Sequence, residues 1–277
     1  MSNAPRLRQL RNALDRIRVA YRVEIIKAIR LRQTYVGPAL LFLLVVLSPL
    51  AHPLRQDTMG DYAFIAYVTP LALNFLGYVL LLAYVGGLLA TEMDRGTLRT
   101  VLLRPIHRCE IYLAKLLLGC SYSLLLTLVV GLSSWGMVVI FGDLYGVQVG
   151  GVLRYTSDEM LWAYLGGAGL VLLPQWAGVS LGLLYSSLTR STGTAVSLSV
   201  GTWIALDLVK YPLGIDHLVF SSYLESPWHV FISQCDGLDG RWLPMAGYTI
   251  VTSGAVALTT TAVGLFLFSR RNLGSCG

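Results

Sequence analysis

The sequence predicts an all-α integral membrane protein with six transmembrane helices. An interfacial amphipathic helix precedes them, and a structured inner elbow and an outer re-entrant segment connect them. Three observations carry this. Of 277 residues, 55% are hydrophobic and 13% charged, against about 25% charged in soluble domains. Charge-free stretches cover Tyr62–Thr91, Leu116–Gly142, Met160–Thr189 and Trp242–Ser269, with shorter ones at Gln33–Leu54 and Ser191–Leu206; a helix needs roughly 20 apolar residues to cross the hydrocarbon core. Finally, Lys and Arg crowd into alternate connections.

The N-terminal segment, residues 1–34, places Leu7, Leu10, Leu14, Ile17, Tyr21, Ile25 and Ile29 at spacings of three and four, with arginines on the other faces. This is one apolar helix face. A basic amphipathic helix directly before a span lies in the headgroup layer; a short coiled coil or a partner-binding helix is the alternative. Asp15 and Glu24 disfavour a mitochondrial presequence, and the segment is too basic and too weakly apolar for a cleaved signal peptide.

Residues 35–277 hold the six spans. The first contains Pro38 and Pro49, and the runs near 30 residues would extend about 45 Å as helices, so they tilt or project. Residues 143–159 read as an outer loop. The turn Thr189-Arg190-Ser191-Thr192-Gly193 is short enough to make spans four and five an antiparallel hairpin. The stretch 211–241 is too apolar for a free loop and too broken for a span. Short helices dipping into the outer leaflet are expected there, with backbone buried in protein. The fifth span extends past Asp207 to about Val209.

With the N-terminus inside, inner segments hold all but four of the 21 Lys and Arg; the outer four are Arg55, Arg154, Lys210 and Arg241. The positive-inside rule then puts both termini in the cytoplasm. The net charge of +6 reflects this asymmetry, and no nucleic-acid partner is read from it. Of Cys109, Cys120, Cys235 and Cys276, only Cys235 falls outside, so no intramolecular disulfide is expected there.

Between the second and third spans, residues 91–110 carry Glu92, Asp94, Arg95, Gly96 and Pro105. Glu92 to Leu103 can form a short helix with Leu98, Val101 and Leu102 on one side, and Pro105 disfavours helix at Arg104. A plain interfacial hairpin would explain the arginines. It explains less well the acidic pair, the Gly-Thr break and the proline together.

This loop closely resembles the inner loop of type 2 ABC transporter permeases. Glu92, Gly96, Thr97, Leu98, Leu102, Pro105, Arg108 and Lys115 match that pattern in order. The resemblance extends to the basic helix, the six-span plan and the outer segment. It is nearest the branch with multicopper-enzyme-maturation permeases and multidrug exporters. It implies a permease subunit of an exporter in the bacterial plasma membrane, with the loop a coupling helix docked in a separate ATPase. The coupling set would be Glu92, Asp94, Arg95, Gly96, Thr97, Leu98, Arg99, Val101, Leu102, Pro105 and Arg108. A second permease copy and membrane lipids would be the other partners. ATP and Mg would sit on the ATPase, with no cofactor in this chain. The residues agree that the ATPase is separate: a P-loop needs a Gly-Lys pair, and none of Lys27, Lys115 and Lys210 follows a glycine.

Gly178-Val179-Ser180-Leu181-Gly182 satisfies G-x-S-x-G on the fourth span, which raises an intramembrane serine enzyme. The nucleophile needs a base. His52 lies near an outer span end, and His107, His217 and His229 lie outside the spans. Small-residue helix packing is the reading preferred, with Gly178 and Gly182 four apart and Ser186 continuing the stripe. Ser197, Gly201 and Ala205 form a similar stripe on the fifth span, for bundle packing or a dimer. Asn74, Gln175 and Asp207 are the polar residues at or near membrane depth and the candidates for a translocation path; Asp207 could simply pair with Lys210. Asp216, His217, His229 and Cys235 match no metal-ligand spacing, so no metal is assigned. An intramembrane enzyme and an ATP-independent six-span channel or carrier are the alternatives.

Overall fold

A computed structural model describes residues 4–51, 54, 61–96, 107–149 and 151–270, with side chains in the first helix from Leu14 onward. The sequence-based expectations for residues 97–106, including those for Thr97, Leu98, Arg99, Val101, Leu102 and Pro105, lie outside the described residues.

Helix α1 (Ala4–Arg30) is separated from α2 (Gln33–Leu47) by Leu31 and Arg32 alone. The Thr34 hydroxyl donates to the Ala28 carbonyl across this bend at 2.7 Å. Pro49 turns the end of α2 into a 3₁₀ turn, Ser48–Leu50. The second span is composite: α3 (Tyr62–Pro70), a π-helical turn (Leu71–Gly77) and α4 (Tyr78–Asp94). Pro70 has no N–H to donate to the preceding turn, and a π-turn is one way a helix absorbs such a gap. Gly77 is needed there, since a Cβ would lie 2.8 Å from the Ala72 carbonyl oxygen.

Helix α5 (Arg108–Phe141) starts from a capping box in which the His107 N–H donates to Glu110 Oε2 at 3.0 Å. After it comes a feature the sequence reading missed. Residues 143–159 are not simply a loop: β1 (Val147–Val149) and β2 (Val152–Tyr155) form an antiparallel hairpin, with Gly151 at φ +82° in the turn. Strand-favouring Val147, Val149, Val152 and Tyr155 on either side of Gly150-Gly151 are a hairpin signal. Helix α6 (Ser157–Leu188) opens on a Thr156/Glu159 capping box, and α7 (Thr192–Lys210) follows after three residues. Residues 211–241 fold with two 3₁₀ turns, Asp216–Leu218 and Phe220–Leu224, then α8 (Ser226–Cys235), and α9 (Trp242–Arg270) follows. Six helical stretches are long and apolar enough to cross a membrane: Gln33–Leu50, Tyr62–Asp94, Arg108–Phe141, Ser157–Leu188, Thr192–Lys210 and Trp242–Arg270. The all-α membrane class holds, with the small hairpin added.

Helix α6 is the hub, packing against α4, α5, α7, α8 and α9. It gets close to α4 because Gly178 leaves room for the buried Tyr78 ring, and Gly182 admits Val85. Gly119 on α5 seats Val179, and Gly264 on α9 seats Tyr112 in the same way. Ser180 is buried, donating to the Ala177 carbonyl and paired with Thr260 at 2.6 Å. Its neighbours therefore make it a packing residue. At the hairpin end, Asp61 and Asp143 exchange backbone and side-chain bonds of 3.0 and 2.9 Å, joining α3 to α5. Trp228 and Phe231 of α8 are fully buried against Tyr164 of α6. Trp228 also reaches Gly167, the eleventh residue of α6.

Gly178→Ala should therefore cost about 1–3 kcal/mol, because the new methyl would overlap the Tyr78 ring in a packed interior. Gly201→Ala, with nothing of its own chain within 4 Å of the new atom, should leave the stability of the separated chain unchanged or slightly raised through helix propensity. Thermal unfolding in one detergent compares the two, and equal effects would contradict this packing.

Candidate functional site

At the end of the bundle opposite the hairpin, charges from three helices meet below the apolar layer. Glu24 and Lys27 lie one turn apart on α1, Glu92 is near the last turn of α4, and Lys115 is in the second turn of α5. Glu24 and Lys115 are buried, with 9% and 2% of their side chains exposed. The Lys115 ammonium donates to Glu24 Oε2 at 3.1 Å and to the Leu88 carbonyl at 3.0 Å, and it pairs with Glu92 Oε1 at 2.9 Å. These three partners match the three donors of an ammonium. Lys27 bridges the same two acids from the outer side, 2.6 Å from Glu24 Oε1 and 3.3 Å from Glu92 Oε1. Two acids and two ammonium groups thus neutralise each other where isolated charges would be very costly.

The surroundings continue the fastening. Arg16 of α1 binds Glu110 of α5 at 2.8 Å, and Tyr21 hydrogen-bonds Ser121 one level further along. Thr91 pairs with Thr192 at 3.1 Å, tying the end of α4 to the start of α7. The backbone N–H groups of Leu89 and Ala90 both donate to Ser186 Oγ of α6, at 2.9 and 3.0 Å. The end of α4 is therefore held by α1, α5, α6 and α7 at once, immediately before residues 97–106.

This geometry revises the reading of the inner loop. Among the described residues, α4 ends at Asp94, and Gly96 adopts φ +68°, a left-handed conformation that ends helices. Glu92 faces two lysines of its own chain, Lys27 and Lys115. Asp94, Arg95 and Gly96 are exposed at the mouth of the loop, and Arg108 is half-buried at the start of α5. The polar candidates separate into two places. Asn74 sits half-buried on the π-turn beside exposed Phe75; Phe75 and Tyr78 both face Trp203 of α7, with ring centroids at 5.9 and 5.1 Å. Asp207, one turn beyond Trp203, pairs with Lys210 at 2.6 Å and accepts from Ser221 at 2.9 Å. Gln175 is elsewhere, buried between α5 and α6, where it accepts from Thr127 at 3.2 Å. Sequence reasoning did not select Glu24, Lys27 or Lys115 for the site. The available signal was an acid within an arginine-rich helix, which one stretch of sequence cannot match to a partner 91 residues away.

The ionic cluster is an electrostatic fastening between α1, α4 and α5. Burial pushes the Glu24 carboxyl up, but Lys115 and Lys27 outweigh this and hold it below its ordinary 4.5. Burial pulls Lys27 down, and its bonds to Glu24 and Glu92 reverse this, leaving it above 10.5.

Two comparisons complete the description. Residues 21–200 match the family model described as ABC-2 family transporter protein. No curated protein matches the chain.

Removing one member of the cluster should expose its cost. Lys115→Met leaves the buried Glu24 and half-buried Glu92 carboxylates with Lys27 alone and should destabilise the docking of α1 by about 3–5 kcal/mol, whereas the Glu24→Gln, Lys115→Met pair should cost less than the two single changes added. A double-mutant cycle on chemical unfolding measures this, and additivity would refute the coupling. In pH terms, the lowered Glu24 value contributes stability present above 4.5 and lost as acid protonates it; the raised Lys27 value contributes stability present below 10.5 and lost as base removes its proton. Distances between spin labels on α1 and α5 should be constant between those limits and broaden on acidification below the first.

Proposed function

Because the chain belongs to the ABC-2 family of transporter proteins, we propose that it is the membrane-spanning half of an exporter driven by a separate ATPase. The chain itself is a transport component of the membrane, not an enzyme, and ABC-2 permeases generally work with an ATPase subunit. In the proposed assembly two permease copies enclose the path, and an ATPase docks on residues 97–106 of each. Both termini and this loop face the cytoplasm of a bacterium, where the ATPase finds its ATP and Mg.

The observation that carries this reading is the fastening at the end of α4. A loop that only set topology would need no such anchorage. Here the helix that feeds residues 97–106 is bound by salt bridges to α1 and α5, and by hydrogen bonds to α6 and α7. A push on the loop therefore moves several helices together, because packed interiors transmit strain. Leu98, Val101 and Leu102 are the proposed apolar face for the ATPase groove, Asp94 and Arg99 the charged rim, and Pro105 the element setting the angle into α5. Arg108 would join the rim from the start of α5.

The path is proposed along the seam between the π-turn and α7. Asn74 and Phe75 lie there, and Ser197, Gly201 and Ala205 present an exposed stripe on the same helix. Gly201 has open space beside it, which suits the close approach of a second copy. Asp207 marks the outer end of this seam. The reach of Trp228 to Gly167, about 15 Å along α6, supports a re-entrant outer segment that caps the path.

Replacing Leu98 and Leu102 together by Asp should abolish ATPase recruitment while leaving membrane insertion intact, because a dry contact tolerates unpaired carboxylates poorly. Pro105→Ala should keep recruitment and weaken substrate-stimulated ATP hydrolysis in proteoliposomes. Native mass measurement of the solubilised complex should give two permeases and two ATPases. Normal recruitment by the double Asp variant would reduce the loop to a topological hairpin, and an active chain with no ATPase would favour a channel or carrier.

A further inference from the structure

The ionic cluster forms the floor of a cavity of about 530 Å³, partly open to the surroundings, between α1, the α1–α2 bend, α4 and α5. Its walls are apolar: Leu31 from the bend, Tyr84 and Leu88 from α4, and Leu118 from α5. Among the described residues six charged side chains line it, and they do not balance. Glu24 and Glu92 are matched by Lys27 and Lys115, which leaves Arg30 and Arg95 as two surplus positive charges. Both arginines are exposed, and neither has an acidic partner among the described residues.

We propose that this cavity binds one anionic phospholipid, its phosphate held by Arg30 and Arg95 and an acyl chain lying against Leu31, Leu88 and Leu118. The charge calls for an anion, and guanidinium groups suit phosphate because they offer paired donors in a plane. The walls call for an apolar tail on the same molecule, which a free anion lacks. The position favours a lipid over a soluble amphiphile. Tyr35 and Val36, just past the bend, are more than half exposed, as is Leu31 at the rim; apolar side chains so placed, at the junction of a basic amphipathic helix and a span, sit where headgroups meet acyl chains. The site is apart from the seam between the π-turn and α7, so the lipid is a bound partner and not cargo. Because Arg95 and Glu92 lie directly before residues 97–106, a lipid clasped by Arg30 and Arg95 ties α1 to the root of that loop.

The inference rests on the interfacial placement of α1 and not on ATP coupling, so its test contains no ATPase. Purified protein is exchanged into mixed micelles holding phosphatidylglycerol and phosphatidylcholine with identical acyl chains, and retained lipid is counted by native mass spectrometry. One phosphatidylglycerol per chain should be retained in preference to phosphatidylcholine. Arg30→Gln with Arg95→Gln should weaken this retention roughly thirtyfold, at about 1 kcal/mol for each basic residue near an anionic lipid. Arg22→Gln with Arg32→Gln removes the same charge from exposed α1 and bend positions outside the cavity and should leave retention unchanged. Both changes are at exposed side chains, and unaltered thermal unfolding verifies the fold. Equal loss in the two double variants would mean general charge attraction and would overturn the site. Displacement of the lipid by an equal concentration of glycerol phosphate would mean a free-anion site and would overturn the lipid assignment.

Discussion

Lys115 enters the bilayer end of its helix with a charge that cannot stay unpaired, and much of the inner architecture follows from meeting that demand. An ammonium with 2% of its side chain exposed needs acceptors on every donor. Helix α4 can supply a carbonyl and one carboxylate, but the remaining acceptor comes from α1. The amphipathic helix is therefore fixed along α5 at a defined register, which Arg16–Glu110 and Tyr21–Ser121 repeat at other levels. A helix that only floated in the headgroup layer would need no such register.

The apolar interior is built on a different principle. With little hydrophobic driving force between helices inside lipid, close contact has to come from shape. Large rings occupy places where the facing helix has a glycine: Tyr78 at Gly178 and Tyr112 at Gly264. Hydroxyls then pair across the remaining gaps, as Thr69 does with Tyr164 at 3.2 Å and Thr202 with Tyr185 at 3.0 Å. The motif that resembled a serine nucleophile belongs to this packing, since Ser180 is occupied by Ala177 and Thr260.

The parts of this plan that depend on one stretch of chain were legible in the sequence. Six spans follow from runs of apolar residues, and the short turn at Thr189–Ser191 fixes α6 and α7 as neighbours. The Lys210–Asp207 pair was legible too, as both lie on one helix turn. What depended on residues far apart was not. Glu24 and Lys115 are separated by 91 positions, and nothing local in either shows that they touch. The inner loop's resemblance rests on its local pattern, but the pairing of Glu92 with Lys27, 65 positions away, has no local signal. The hairpin at Val147–Tyr155 was overlooked for the opposite reason: its Gly-Gly signal is local, but seven strand residues weigh little in a chain of long helices.

The π-turn also changes how the second span should be read on a helical wheel. Buried positions advance by three or four through Ile65, Val68 and Ala72, then step by five to Gly77 before resuming at Leu81, Val85 and Leu89. One residue corresponds to about 100° of azimuth in an α-helix. A single wheel drawn from Tyr62 to Asp94 would thus rotate the lower half of the span out of phase with the upper half, sending Tyr78 away from the core it fills. The wide turn absorbs this extra residue and keeps one continuous inward face. A shorter span lacking one residue between Leu71 and Gly77 could present the same face as plain α-helix, with no need for glycine at its seventh turn position. The insertion is thus compensated locally, and the two halves remain in phase.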